Sequence, residues 1–231
     1  VLSKKNIFLA IAACSIPFAS ITANAGAMGP TYVAPDKYLL IEGGLSYMHV
    51  FYKDSVRGAN SFSTIDPIGR TYNPSRIYPN NFFGGYMGVS FLYDTYLWNT
   101  RYELFGSKGK TFRNADQRVD ATLAPTKLAF TLDKLFYANG DLRLGVGAGA
   151  VLSTHNKAEL FTWNPVPPRT QIGVSFPGRV RLDPLVEALA MYRLTDNLNL
   201  RGNVSYQIPA HSFYTNGHLG VNLGINYAVP L

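Results

Sequence analysis

Charge is scarce in this sequence, cysteine almost absent, and beyond residue 37 there is no long apolar run. Asp, Glu, Lys and Arg make up 15% of the 231 residues, where a soluble domain has about a quarter. Cys14 is the single cysteine, so no disulfide can form within the chain. A helical membrane span needs about twenty consecutive apolar residues, and no stretch after Lys37 supplies them. No His/Cys/Asp/Glu cluster has metal spacing, and Asp54, Asp66, Asp116 and Asp120 do not make a calcium loop. Gly145, Gly147 and Ala150 match a lax dinucleotide fingerprint. The pattern carries no helix after it and no acidic residue about twenty positions on, so the match fails its own context. No cofactor is expected.

What is present is aromatic and alternating. Tyr and Phe number 15 and 14, and mean hydropathy sits at zero. The first residues read as a targeting segment. Lys4 and Lys5 precede an apolar run over 7–21 that contains Pro17, and Ala23-Asn24-Ala25 forms a small-x-small cleavage site. The expected division is a signal peptide over 1–25 cut between Ala25 and Gly26, a periplasmic segment over 26–37, and one domain over 38–231. Ile11-Ala12-Ala13-Cys14 resembles a lipobox, but residues 15–21 stay apolar where a mature lipoprotein turns polar at once. Cleavage after Ala25 leaves a mature chain without thiol chemistry.

Eight segments with period two follow, over 38–52, 82–93, 96–106, 124–137, 142–154, 180–194, 198–208 and 219–231. The last is the clearest: Leu219, Val221, Leu223, Ile225, Tyr227, Val229 and Leu231 alternate with Gly220, Asn222, Gly224, Asn226, Ala228 and Pro230. Alternate side chains of a strand face opposite ways, so this pattern makes one apolar and one polar face. A soluble sheet hides the apolar face and a membrane barrel hides the polar one, and alternation by itself fits both. The signal peptide and the even strand count favour the barrel.

The connections alternate in length. Tight turns are expected at Asp94-Thr95, Asn139-Gly140 and Asp196-Asn197, Asn-Gly being a strong hairpin signal. Long loops are expected over 53–81, 107–123, 155–179 and 209–216. Outer-membrane barrels have short periplasmic turns and long extracellular loops, which puts both termini in the periplasm. Aromatics gather near the turns (Tyr93, Tyr96, Phe136, Tyr192, Tyr227) and near the loops (Phe51, Phe83, Tyr206), as interfacial girdles do.

On this pattern the chain resembles the eight-stranded outer-membrane β-barrel superfamily of the OmpA transmembrane domain and OmpX. The segment Ala25-Gly26-Ala27-Met28-Gly29-Pro30 also resembles the mature N-terminus of a group of such surface proteins. Leu231 keeps only the apolar character of the Phe or Trp that usually closes the family's assembly signal. The resemblance implies an all-β, closed antiparallel barrel in the outer membrane of a Gram-negative cell.

An eight-stranded barrel is just wide enough for side chains to fill. The inward charges expected are Glu42, Arg101, Glu103, Lys127, Asp133, Arg143, Arg181, Asp183, Glu187, Arg193 and Arg201, pairing across strands because each is costly alone in a low-dielectric interior. Gly145, Gly147 and Gly149 share that inward face, leaving room for long Arg and Lys side chains of neighbouring strands. Lipid A deacylases of this architecture carry a His and a Ser two apart on a lipid-facing strand. None of His49, His155, His211 and His218 has a serine so placed, and His211-Ser212 point to opposite faces. No catalysis is expected.

The long loops are basic. Lys53, Arg57, Arg70, Arg76, Lys108, Lys110, Arg113, Arg118, Lys157, Arg169 and Arg179 face five acids there, an excess of six, while the turns carry Asp94, Asp141 and Asp196 and no base. Net positive charge often points to nucleic acid; outside a barrel the nearer partner is lipopolysaccharide phosphate. The expectation is a monomeric, non-enzymatic barrel acting through these loops on lipopolysaccharide or on anionic host-surface ligands. A narrow low-conductance pore and a lipid-modifying enzyme are the alternatives.

Overall fold

The alternating segments pair into a ring. The computed structural model describes residues 37–57, 71–114, 117–139, 141–163, 171–175, 180–210, 212 and 214–231. Twelve strands run through them: β1 Lys37–Tyr52, β2 Val56–Arg57, β3 Thr71–Tyr72, β4 Asn81–Tyr93, β5 Tyr96–Phe105, β6 Lys108–Asn114, β7 Gln117–Asn139, β8 Leu142–Trp163, β9 Gln171–Ser175, β10 Arg181–Arg193, β11 Leu198–Gln207 and β12 Thr215–Pro230. A single turn of helix, α1, spans Pro74–Ile77. Eight strands form the wall, in the order β7-β5-β4-β1-β12-β11-β10-β8, and the pairing of β7 with β8 closes it. First and last strands meet antiparallel, with Leu45 opposite Leu223 and Ser46 opposite Asn222.

The pleat sorts the side chains. On β12, Leu223 and Ile225 are more than half exposed outward, whereas Asn222 and Asn226 are buried inward. The same inversion holds around the ring: Phe83, Met87, Trp98 and Leu182 stand on the outer surface while Arg101, Arg201, Glu187 and Asp133 are sealed inside. Water outside would invert that arrangement; only an apolar solvent around the wall makes it stable.

The turns are tight. Tyr93 pairs with Tyr96 across Asp94-Thr95, and Asp94, at φ 55°, takes the left-handed conformation such a two-residue hairpin needs. Asn139 pairs with Leu142. At the third turn β10 stops at Arg193 rather than Leu194, and the Leu194 and Thr195 amides both donate to the Leu198 carbonyl. The loop there is therefore wider than expected.

The larger correction concerns the stretches 107–123 and 155–179, expected as loops. Much of each is strand: β6 pairs with β7 from Lys108–Leu123 to Asn114–Gln117, and β8 runs on to Trp163, pairing β9. β7 and β8, at 23 and 22 residues, reach about 70 Å at ~3.3 Å per residue, far beyond an apolar band about 25 Å tall. Once two strands are in register, each further step satisfies backbone groups that would otherwise need water, so the ladder persists past the membrane. The first strand starts at Lys37, one residue earlier than expected.

Close approach requires glycine where β1 meets β12. Gly44 and Gly224 face each other across β1 and β12, and a Cβ on Gly44 would come within 2.3 Å of the Leu223 carbonyl oxygen. The Tyr86 hydroxyl lies 2.5 Å from where a Gly224 Cβ would be, so an aromatic ring covers the bare backbone inside the barrel.

Candidate functional site

Three inward layers fill the lumen. At the turn end Leu40, Leu92, Leu97, Leu135, Leu189, Met191 and Ala228 form a buried apolar cluster with Tyr38 packed against it. At the loop end Met48, Val50, Phe82 and Phe105 form another, with Tyr52 and Leu123 against it. These plugs were missed in the sequence. Their signal is the loss of alternation at strand ends, where runs such as Tyr38-Leu39-Leu40-Ile41 and Ala188-Leu189-Ala190-Met191-Tyr192 make the inward positions apolar too.

The middle layer holds the charges. The Arg101 guanidinium donates through Nε to Glu103 Oε1 at 2.8 Å and through Nη2 to Glu187 Oε2 at 3.0 Å. Glu187 also accepts from Asn203 Nδ2 at 2.8 Å and from the Thr131 hydroxyl at 2.8 Å. Arg201 Nη1 donates to Glu42 Oε2 at 2.5 Å and to Ser90 Oγ at 3.2 Å. Asn222 donates to Glu103 Oε1 at 3.0 Å and accepts from Ser46 Oγ at 2.5 Å. Seven of the eight wall strands, β1, β4, β5, β7, β10, β11 and β12, contribute to these bonds. Towards the loops Asp183 accepts from Arg181 at 2.8 Å, Gln207 at 2.7 Å and the Ala210 amide at 2.9 Å.

Several expected members sit differently. Arg101–Glu103 and Arg181–Asp183 join residues two apart on one strand, not neighbours across strands, because i and i+2 share a face. Arg193 keeps the inward parity but lies at the turn-side rim, about half exposed, and pairs with Asp196. That pairing also corrects the reading of the turn aspartates as a patch without bases. Arg143 is half-buried beside Met191 in register, at the apolar plug. Lys127 and Asp133 are buried and make no ion pair among the described residues. The space over the glycines is not taken by Arg or Lys: a Gly147 Cβ would strike the Asp133 carboxylate, and Gly145 lies against Leu135 and Leu189.

The basic rim divides into working parts. Arg76, Lys108 and Arg113 are exposed. Lys110 donates to the Ser75 carbonyl and Lys53 to the Ser212 carbonyl at 2.8 Å, so these two hold loops down. Arg57, Arg118 and Lys157 lie on β2, β7 and β8; Arg70, Arg169 and Arg179, like Ala23, Ala25 and Gly26 at the cleavage site, lie outside the described residues. Helix α1 is capped by Asn73, whose side chain accepts from the Ser75 amide at 2.9 Å. Ile77 packs on Ala121 with Tyr78 and Phe112, the Tyr52 hydroxyl donates to the Pro79 carbonyl at 2.9 Å, and Tyr52 stacks on Tyr78. Residues 73–80 thus lie against the loop-side mouth.

Nucleophilic chemistry finds little here. His49 faces outward near the loops, its Nδ1 2.5 Å from Asn81 Oδ1, and the Tyr47 hydroxyl donates to the same oxygen at 2.8 Å. The expectation that no histidine has a serine two residues away fails at His155, but Ser153 points inward and accepts from Gln207 at 3.2 Å, so it makes no lipid-facing pair. Among the described residues no group of His, Cys, Asp and Glu is arranged to hold a metal ion.

No protein-family model matches the sequence, and no curated protein resembles it significantly. Solved structures do. The outer membrane protein OprG of Pseudomonas aeruginosa superposes with a TM-score of 0.52 at 10% identity, over 85% of this chain and 97% of that one. Ail, the attachment invasion locus protein of Yersinia pestis, solved with the heparin analogue sucrose octasulfate, gives 0.44 at 11%, over 85% and 100%. Neisserial surface protein A gives 0.44 at 10%, over 83% and 96%. At such identities the likeness is one of fold: the chain has the closed eight-stranded antiparallel barrel of the outer-membrane proteins.

Proposed function

We propose that this barrel is a non-enzymatic outer-membrane protein whose lumen is a plug and whose exposed loop-side cations engage the phosphates of lipopolysaccharide. Its short turns, the start of β1 and the end of β12 face the periplasm, and the β6–β7 and β8–β9 hairpins stand outside the cell. The observation that carries the reading is the division of labour among the charges. Apart from Lys127 and Asp133, the charges buried in the lumen are spent on one another between two apolar layers, whereas Arg76, Lys108 and Arg113 point into solvent. A cluster of exposed charges sums weak attractions, and salt screens it over about 8 Å at physiological strength.

The test is reversal of Arg76, Lys108 and Arg113 to Glu, leaving Lys53 and Lys110 in place because they anchor loops. At up to about 1 kcal/mol per exposed charge, lipopolysaccharide binding is expected to weaken roughly tenfold, and wild-type binding to fall steeply with salt. Retained mobility of the unheated protein on gels certifies the fold. Unchanged binding in the variant, with no salt dependence in the wild type, would leave the rim as a solvated surface and nothing more.

A further inference from the structure

The outer wall carries a second charged feature, at the opposite rim. Lys37 on β1 is opposite Tyr93 on β4, Tyr93 is opposite Tyr96 on β5, and Tyr96 is opposite Lys134 on β7. All four have the outward parity, so they form one continuous row, Lys-Tyr-Tyr-Lys, across four neighbouring strands. The lysines lean inward along the row: the Lys37 ammonium lies 5.7 Å from the centre of the Tyr93 ring and that of Lys134 4.1 Å from the centre of Tyr96. Lys134 gives one donor to the Thr95 hydroxyl, which leaves two of an ammonium's three. Asp94, in the turn between the tyrosines, accepts from Thr95 at 3.2 Å.

Above this row, towards the middle of the wall, the outward positions are apolar. Leu39, Phe91, Trp98 and Leu132 make the next row and Ile41, Val89, Thr100 and Phe130 the one after. Thr100 is the small residue in that patch. The surface sinks there into a groove of about 320 Å³ bordered by Val89, Phe91, Trp98 and Phe130. Cations at the rim with an apolar groove one step deeper match the two ends of a lipid, headgroup and acyl chain.

We infer that this face binds one anionic phospholipid of the periplasmic leaflet, its phosphate between Lys37 and Lys134 and an acyl chain in the groove over Thr100. The tyrosines supply ring faces that keep the ammonium groups at headgroup depth, and the pair of cations selects an anionic over a zwitterionic headgroup. The leaflet follows from the reading that the short turns face the periplasm; the binding chemistry does not depend on it.

Trp98 is placed to report occupancy. In a Trp163→Phe background it is the one remaining tryptophan, the chain having 2. The barrel is reconstituted in phosphatidylcholine nanodiscs doped with phosphatidylglycerol brominated on its acyl chains, and separately with brominated phosphatidylcholine at the same mole fraction. Brominated phosphatidylglycerol is expected to quench Trp98 with a preference on the order of fivefold, from two partly exposed charge contacts. Lys37→Gln with Lys134→Gln should abolish the preference, Lys134→Gln alone should reduce it, and Thr100→Phe should lower quenching by both lipids while the lysines remain. Equal quenching in the wild type, or a preference that survives the double variant, would overturn the site. So would its loss in a Lys108→Gln/Arg113→Gln control, which would trace it to net charge. The discs hold no lipopolysaccharide, so this readout does not depend on the binding proposed for Lys108 and Arg113 at the other rim.

Discussion

Leu223 and Asn222 are adjacent in the chain and face opposite media. Leu223 is 55% exposed on the outer wall, whereas Asn222 is buried between Ser46 and Glu103. Placing Arg at 223 puts a charge against lipid, at a cost of roughly 2–4 kcal/mol near the midplane. Leu223→Arg should therefore sharply lower the assembled fraction on unheated gels. Asn222→Arg should be milder, because Glu103 stands ready to pair with it. Inside, Arg101 is 1% exposed between two carboxylates, and its removal leaves both uncompensated. Arg101→Met should cost about 3–5 kcal/mol, read as a lower urea midpoint, while Arg193→Met, whose partner Asp196 is exposed at the rim, should leave the midpoint in place.

At the scale of elements, the wall and the loop-side hairpins are separable. Helix α1 is too short to hold itself together and depends on Ile77 against Ala121 and on the Lys110 contact to Ser75. Ile77→Ala should release residues 73–80 to protease and to rapid hydrogen exchange while the barrel keeps its gel mobility and urea midpoint. Loss of the barrel itself in that variant would mean that the loop is part of the wall's folding unit. The wall strands were readable from period two because each separates lipid from lumen along its length. The extensions β6 and β9 were not, because beyond the membrane both faces meet water and the alternation loses its cause. Pairing with β7 and β8, not a hydrophobic pattern, holds them in register.

For the whole molecule, two apolar layers with a hydrogen-bonded ion network between them leave little room for an ion path. Ions crossing Leu40, Leu97 and Leu135 at one end and Met48 and Phe82 at the other would have to shed water among buried apolar side chains. Planar-bilayer recordings are expected to show no stable unitary conductance. Steady openings at moderate voltage would restore the pore reading. The signal-peptide expectation is checked on the same material: the intact mass of the membrane-extracted protein should correspond to a chain starting at Gly26, with no diacylglyceryl adduct on Cys14.

The amino-acid order alone determined the eight wall strands, two of the three turns, which side of each strand is apolar, and most of the inward charges, from Glu42 to Arg201. These are local properties, set by side-chain alternation with period two and by turn residues such as Asp94-Thr95 and Asn139-Gly140. Only the tertiary structure decided which face is the buried one, that Arg193 leaves the lumen for Asp196, that Asp133 sits over Gly147, and that leucines plug the turn end. Those depend on which strands become neighbours around the ring and on how far along the lumen each side chain lies. Lys37 and Lys134 are 97 positions apart, and it is the register of four strands that puts them in one row.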